Sequence, residues 1–190
     1  MNGHKRQREE SAKMIETALF ELLKEKDFAQ ITVSGIVKRA DVARRTFYRL
    51  YKGKEDVIDC YFSRLCQNYR STYPALEKYD LDQIARDYFG FWYQYREFLM
   101  VMNQCGLREK LYYEISRVSE EIVKNRISCK EVRNGQEVRY FAYYSAGGFI
   151  LLLHHWIIEG MRETPDEYAQ KVSRAISQFI APFFSFTETL

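Results

Sequence analysis

Apolar residues recur along this chain at helical spacing, and long alternations of apolar and polar residues are absent. Met14, Ile15, Ala18, Leu19, Leu22 and Leu23 form one stripe, which predicts a helix over residues 5–26 that closes at Lys24, Lys26 and Asp27. Thr32 then precedes Val33, Ile36, Val37 and Ala40 in an i, i+3, i+4, i+7 pattern. Its hydroxyl is placed to accept a free backbone N–H at the start of a second, short helix, which Asp41 interrupts. A third helix is expected from about Ala43 to Tyr51. A fourth opens near Lys54, where Glu55 and Asp56 suit the positive end of a helix dipole. Val57, Ile58, Tyr61, Phe62 and Leu65 continue its buried stripe, and Pro74 marks its end.

The rest of the chain reads the same way. Asp80 followed by Gln83 resembles a capping box and opens a helix through about Tyr95. Shorter and longer helices follow over about Arg96–Gln104 and Leu107–Lys130, separated by Gly106. Asn134-Gly135 signals a turn before a long helix that ends at Glu159. Thr164-Pro165-Asp166-Glu167 supplies an N-cap, a proline at the first helical position and a glutamate at the third. The last helix is expected to stop at about Ala181, ahead of Pro182. The fold class is all-α, with about nine helices.

Composition supports this picture and adds a polarity. Three prolines and nine glycines in 190 residues favour long helices. The formal net charge of +3 is unevenly placed. Residues 1–54 hold 13 Lys and Arg against 7 Asp and Glu, a net +6, and the remaining residues hold 16 against 19, a net −3. A basic head on an acidic body suggests that one end meets a polyanion. Cys60, Cys66, Cys105 and Cys129 form no C-x-x-C pair and lie at no metal-ligand spacing, so reduced and mostly buried thiols are expected, with no bound metal or cofactor. With no signal-peptide pattern at its start, the chain is expected to be cytoplasmic. Tyr140–Ile158 lacks Asp, Glu, Lys and Arg, but its tyrosines, glycines and histidines argue for a buried interface helix and against a membrane span.

Wound at about 3.6 residues per turn, the third helix separates into two faces. Arg44, Arg45, Tyr48, Arg49 and Lys52 fall on one arc, and Ala43, Thr46, Phe47 and Leu50 on the other. Three short helices with a tight turn before a basic third one have the layout of a helix-turn-helix, whose third helix enters the major groove. There Arg pairs with guanine, while cations and hydroxyls meet phosphates.

Residues 32–59, TVSGIVKRADVARRTFYRLYKGKEDVID, resemble the DNA-binding domain of the TetR family of bacterial regulators. The resemblance is detailed through Thr46-Phe47-Tyr48-Arg49, Tyr51 and Lys54-Glu55-Asp56, and covers roughly the first 65 residues. It implies that Thr32 touches phosphate and caps the second helix, and that Tyr48 and Lys54 also reach phosphate. It implies that Arg44, Arg45 and Thr46 face base edges or the adjacent backbone, with Phe47 in the three-helix core. Arg49 and Lys52 share the outward arc. Lys38 and Arg39 read equally well as phosphate contacts or as plain surface. Two positions depart from the family pattern. Asp41 stands where glycine is usual, in a turn that Asp tolerates better than most residues. Ala43 stands where serine is usual, losing an N-cap worth about 1 kcal/mol.

The domains expected are a helix-turn-helix over residues 1–53 and a helical ligand-sensing and dimerisation domain over residues 54–190. The second is dense in aromatics, whose ordinary meaning is core packing. The resemblance places an effector pocket between its middle helices, with Trp92, Tyr93, Met102, Tyr113, Tyr144 and His154 as candidate lining for a small apolar or aromatic molecule. It also implies a homodimer through the last two long helices, with Leu151, Leu152, Trp156, Val172, Ile176 and Phe179 as contacts and Ala146-Gly147-Gly148 permitting close approach. The function expected is a transcriptional regulator, repressing from a palindromic operator on double-stranded DNA and released by its ligand. A co-regulator acting through a protein partner, with weak or no DNA binding, is the alternative. Of the three histidines, the adjacent His154 and His155 point to different sides of a helix with no evident carboxylate or cysteine partner at ligand spacing, and no phosphate-binding glycine loop or nucleophile elbow occurs, which argues against an enzyme.

Overall fold

The computed structural model of the chain describes residues 3–72, 80–126 and 135–184. Among them every regular element is a helix: α1 (Gly3–Glu25), a 3₁₀ turn (Phe28–Gln30), α2 (Val33–Arg39), α3 (Arg44–Leu50), α4 (Lys54–Thr72), α5 (Leu81–Tyr93), α6 (Arg96–Gln104), α7 (Arg108–Arg126), α8 (Gly135–Ile158) and α9 (Pro165–Phe184). No described helix is long and apolar enough to cross a membrane. Pro74, Asn134 and Cys129 lie outside the described residues.

The helices start where the sequence supplies caps. The Thr32 hydroxyl accepts the Gly35 amide at 3.1 Å. Asp80 accepts the amides of Asp82 and Gln83, at 3.0 and 3.2 Å. The expected reciprocal bond is missing there, because the Gln83 carboxamide donates to Asp87 one turn ahead, at 2.7 Å. At α9 the box closes in both directions: Glu167 accepts the Thr164 amide at 2.9 Å, and the Thr164 hydroxyl accepts the Glu167 amide at 3.3 Å. Two ends differ from expectation. Gly135 is the first residue of α8, and α9 continues through Pro182 to Phe184. A proline so near a helix end removes one backbone donor from a helix whose earlier turns are already packed.

The chain forms two compact units. The head unit takes α1–α4, α6 and α7 as far as Val118; the body unit takes α5, α8, α9 and the rest of α7. The reason is aromatic packing. Phe98 on α6 meets Phe20 of α1 and both Tyr61 and Phe62 of α4, with ring centroids 5.0, 4.7 and 5.1 Å apart. Ile15 and Leu19 of α1, Ile36 of α2, Phe47 of α3 and Ile58 of α4 are fully buried in the head.

In the body unit, α5 packs on α9. Its core is aromatic. Trp156 of α8 stacks with Tyr93 of α5 at 5.5 Å and with Tyr168 of α9 at 4.7 Å, and Phe89 meets it edge-on at 5.8 Å. The Tyr168 hydroxyl donates to the Leu152 carbonyl at 2.8 Å, and burial pushes its pKa up to about 12.

Candidate nucleic-acid interface

The turn that presents α3 is built from one left-handed residue. Asp41 has φ +50°, the conformation expected where the family has glycine. Its short polar side chain makes that backbone tolerable, and the Val42 amide donates to the Val37 carbonyl across the turn, at 3.1 Å. Ala43 is the N-cap of α3 and supplies no side-chain bond. The first turn of α3 therefore has no side-chain acceptor at its N-cap.

Phe47 is fully buried, with its ring 5.8 Å from that of Tyr51, and this pair seats α3 on the head. The opposite face is as expected: Arg44, Arg45, Tyr48, Arg49 and Lys52 are all exposed, and Thr46 is half-buried. Arg45, Arg49 and Lys52 have no ion-pair partner among the described residues. Arg44 is held. It donates to the Ser34 hydroxyl on α2 at 2.9 Å and to the Tyr48 hydroxyl at 3.3 Å, with its guanidinium 5.5 Å from the Tyr48 ring centre. Ser34 was not singled out from the sequence, since nothing local ties a serine on α2 to an arginine ten residues later.

Arg39, open between phosphate and surface in the sequence, is turned toward α1. It donates to Glu25 at 2.9 and 3.0 Å and to Glu21 at 3.3 Å. Lys54, expected on phosphate, has its ammonium on backbone carbonyls, at 2.7 Å from Phe28, 2.8 Å from Ile31 and 3.4 Å from Ala29. The first turn of α4 lies against the link before α2, so the side chain reaches that link.

Beneath this surface lies a charged group that the sequence reading missed. Glu16 of α1 is only 7% exposed. Its Oε1 accepts from the Tyr51 hydroxyl at 2.8 Å and from the Arg64 guanidinium of α4. Burial and the neighbouring Glu16 raise the Tyr51 pKa far above its usual range, so the phenol stays protonated and donates. Burial disfavours the Arg64 charge, but Glu16 outweighs it and the pKa is raised. Three helix segments are thereby joined at one carboxylate.

The six candidate effector residues fall in both units. Trp92 and Tyr93 belong to the aromatic core of the body, and His154 is half-buried on α8 of the same unit. Tyr144 is exposed on α8. Met102 is fully buried in the head, and Tyr113 is exposed on α7 within the head. A groove of about 560 Å³ between the start of α5 and α9 is lined by Asp80, Asp82, Gln170 and Arg174 among others, and by none of the six. No group of His, Cys, Asp and Glu among the described residues is arranged to hold a metal ion.

Of the dimer candidates, Leu151 is 67% exposed and Leu152 and Ile176 are half-buried, whereas Trp156, at 1%, and Val172 are buried within the body itself. The last two are corrected from interface to core: Trp156 is covered by Tyr93 of α5 and Tyr168 of α9, and Val172 lies on the buried face of α9. Phe179 lies outside the described side chains.

The helix-turn-helix geometry agrees with sequence comparison. Residues 15–59 match the model described as bacterial regulatory proteins, tetR family, and residues 79–178 match a transcriptional regulator C-terminal region. The chain belongs to the TetR family. It is 23% identical over 177 residues to YxbF, an uncharacterized HTH-type transcriptional regulator of Bacillus subtilis (strain 168). That match covers 90% of this chain and 46% of YxbF, so the chain spans just under half the length of that curated relative. Among solved structures, the dihydroxyacetone kinase operon activator DhaS superposes with a TM-score of 0.66 at 17% identity, covering 90% of this chain and 97% of that one. The fatty acid degradation regulator FadR of Bacillus halodurans gives 0.62 at 19%, covering 86% and 93%. At such identities these two likenesses show the all-α fold of a TetR-family regulator. The two family matches together cover the helix-turn-helix of the head and most of the helices that follow it.

Proposed function

We propose that this TetR-family regulator binds a palindromic operator as a homodimer in the cytoplasm, represses from it, and is released by a small apolar or aromatic effector. The observation that carries the reading is the outer face of α3, where Arg44, Arg45, Tyr48, Arg49 and Lys52 stand together in solvent while Phe47 anchors the helix behind them. Arg44 and Arg45 supply base-edge donors; Thr32, Tyr48, Arg49 and Lys52 supply phosphate contacts. One such helix reads only a few base pairs, so two-fold pairing multiplies specificity.

The pairing surface we assign is one stripe of α8. Tyr140, Tyr144, Leu151 and Ile158 are exposed at helical spacing, with Gly147 and Gly148 between them. A methyl group at either glycine would meet nothing within 4 Å, so neither glycine is needed by packing within the body. Mid-helix glycine costs about 1 kcal/mol relative to alanine, and close approach of a second α8 offsets that cost. The effector is assigned to the aromatic body and acts by population shift, favouring a spacing of the two recognition helices that no longer fits successive major grooves.

Selection of bound fragments from random DNA tests this reading. The expected product is a two-fold symmetric site whose affinity falls steeply with salt. Failure to enrich any sequence, or affinity that stays flat between low and moderate salt, would instead favour the co-regulator that acts through a protein partner.

A further inference from the structure

We propose that Lys54 is a positioning residue that clamps the link before α2, and that it is not a phosphate contact. The proposal rests on the operator-binding reading above and changes the role of one residue within it.

An ammonium has three N–H donors and no acceptor. Around Lys54 three carbonyl oxygens converge, those of Phe28, Ile31 and Ala29 at 2.7, 2.8 and 3.4 Å. The Phe28 ring closes a further side, its centre 4.5 Å from Nζ. The donors a phosphate would need are already engaged. Lys54 is also the first residue of α4, where the helix dipole disfavours a cation. The carbonyls offset that disadvantage, and they give a reason for a cation at this position that does not involve DNA.

The link being clamped leads directly into the DNA-facing surface. Residues 28–31 connect α1 to Thr32, whose hydroxyl caps α2 through the Gly35 amide at 3.1 Å. From its other side the link is tied to the end of α6, where the Phe28 amide donates to the Cys105 carbonyl at 3.4 Å. Lys54 therefore sets where the link ends, and the link sets where Thr32 and the N-terminus of α2 stand. A compact ammonium suits three converging carbonyls; the planar fork of arginine does not.

The test measures operator affinity of the full-length protein across a salt series, using the site selected by the wild type. A lost phosphate contact lowers the slope of log K against log salt by about one. Lys54→Met is expected to weaken binding by roughly tenfold, as for loss of charge-assisted bonds, with the wild-type slope retained. Lys52→Met is expected to reduce the slope. Lys54→Arg, which keeps the charge, is expected to stay weak, and Lys54→Gln, which keeps N–H donors for the carbonyls, to recover part of the affinity. A slope reduced in Lys54→Met together with full binding by Lys54→Arg overturns the proposal. If Lys54→Met does not fold, the Arg and Gln variants carry the same contrast. If the wild type selects no DNA, the operator reading fails, and the clamp is read from amide hydrogen exchange at Ile31 and Gly35. Exchange there should quicken in Lys54→Gln and not in Lys52→Met; equal rates overturn the clamp.

Discussion

The hydroxyl of Tyr51 donates to the buried carboxylate of Glu16 at 2.8 Å, and so fastens the end of the recognition helix to α1. Arg64 shares that carboxylate from α4. A hydrogen bond to a buried charge is worth about 1.5–3 kcal/mol, against about 1 for a neutral pair. Tyr51→Phe keeps the ring that packs on Phe47 and removes only this bond. We expect it to lower unfolding free energy by about 1.5–3 kcal/mol in urea titration. The double variant Tyr51→Phe/Arg64→Met should then differ in cost from the sum of the two single variants, because the residues share one acceptor. Strict additivity of the two would show that Glu16 does not couple them.

How far this arrangement is legible in the sequence depends on distance along the chain. The Thr32 cap, the left-handed turn at Asp41, the uncapped Ala43 and the burial of Phe47 each involve neighbours within a turn of helix, and the sequence names them. Glu16 and Arg64 stand 48 residues apart, and each reads alone as an ordinary surface charge. Lys54 carried its family role into the expectation, but its partners are backbone carbonyls 23 to 26 residues earlier, which have no sequence signature. Trp156 misled for a related reason. Periodicity placed it on a face of α8, and only the packing of α5 and α9 decides that this face is closed.

The Ser34–Arg44 bond makes a prediction about base preference. Arg44 is held over Tyr48 by a 2.9 Å bond from the neighbouring helix. Ser34→Ala frees the guanidinium to sample more rotamers without removing a charge. Operator variants scored base by base should show a flatter preference at one symmetric pair of positions, with the salt slope unchanged. Arg44→Ala should flatten the same positions. Loss at different positions in the two variants would mean that Ser34 acts independently of Arg44.

Leu151 and Trp156 are five residues apart on α8 and should separate assembly from folding. Leu151 is exposed on the stripe with Tyr144 and Ile158, and Trp156 stacks with Tyr93 and Tyr168 inside the body. Leu151→Glu is expected to leave the melting of dilute protein nearly unchanged and to convert dimer to monomer in sedimentation velocity. Trp156→Ala is expected to cost about 3–5 kcal/mol, the range for a large aromatic lost from a core. A Leu151→Glu protein that sediments like the wild type would remove α8 from the pairing surface.

Acid should weaken the join between α5 and α9. Asp82 near the start of α5 accepts from the Arg86 guanidinium at 2.6 and 2.8 Å and from the Ser173 hydroxyl of α9 at 2.8 Å. These bonds, Arg86 first and Ser173 second, hold its carboxyl below the usual carboxylate range. A group whose folded pKa is depressed binds its proton more weakly in the folded state than in the unfolded one. Its stabilising contribution is therefore complete above the ordinary Asp value of about 3.9. It fades as the pH falls from there through the lower folded value. Arg86 also faces Asp166 at 3.8 Å, and Glu167 is depressed by its bonds to Thr164, so part of the acid sensitivity of the body belongs to those groups. Asp82→Asn removes one share and leaves theirs. The melting temperature of the variant should lie below that of the wild type near neutral pH and converge on it as the pH is lowered toward about 3. A constant gap between the two curves over that range would mean that the Asp82 charge contributes nothing to joining α5 and α9.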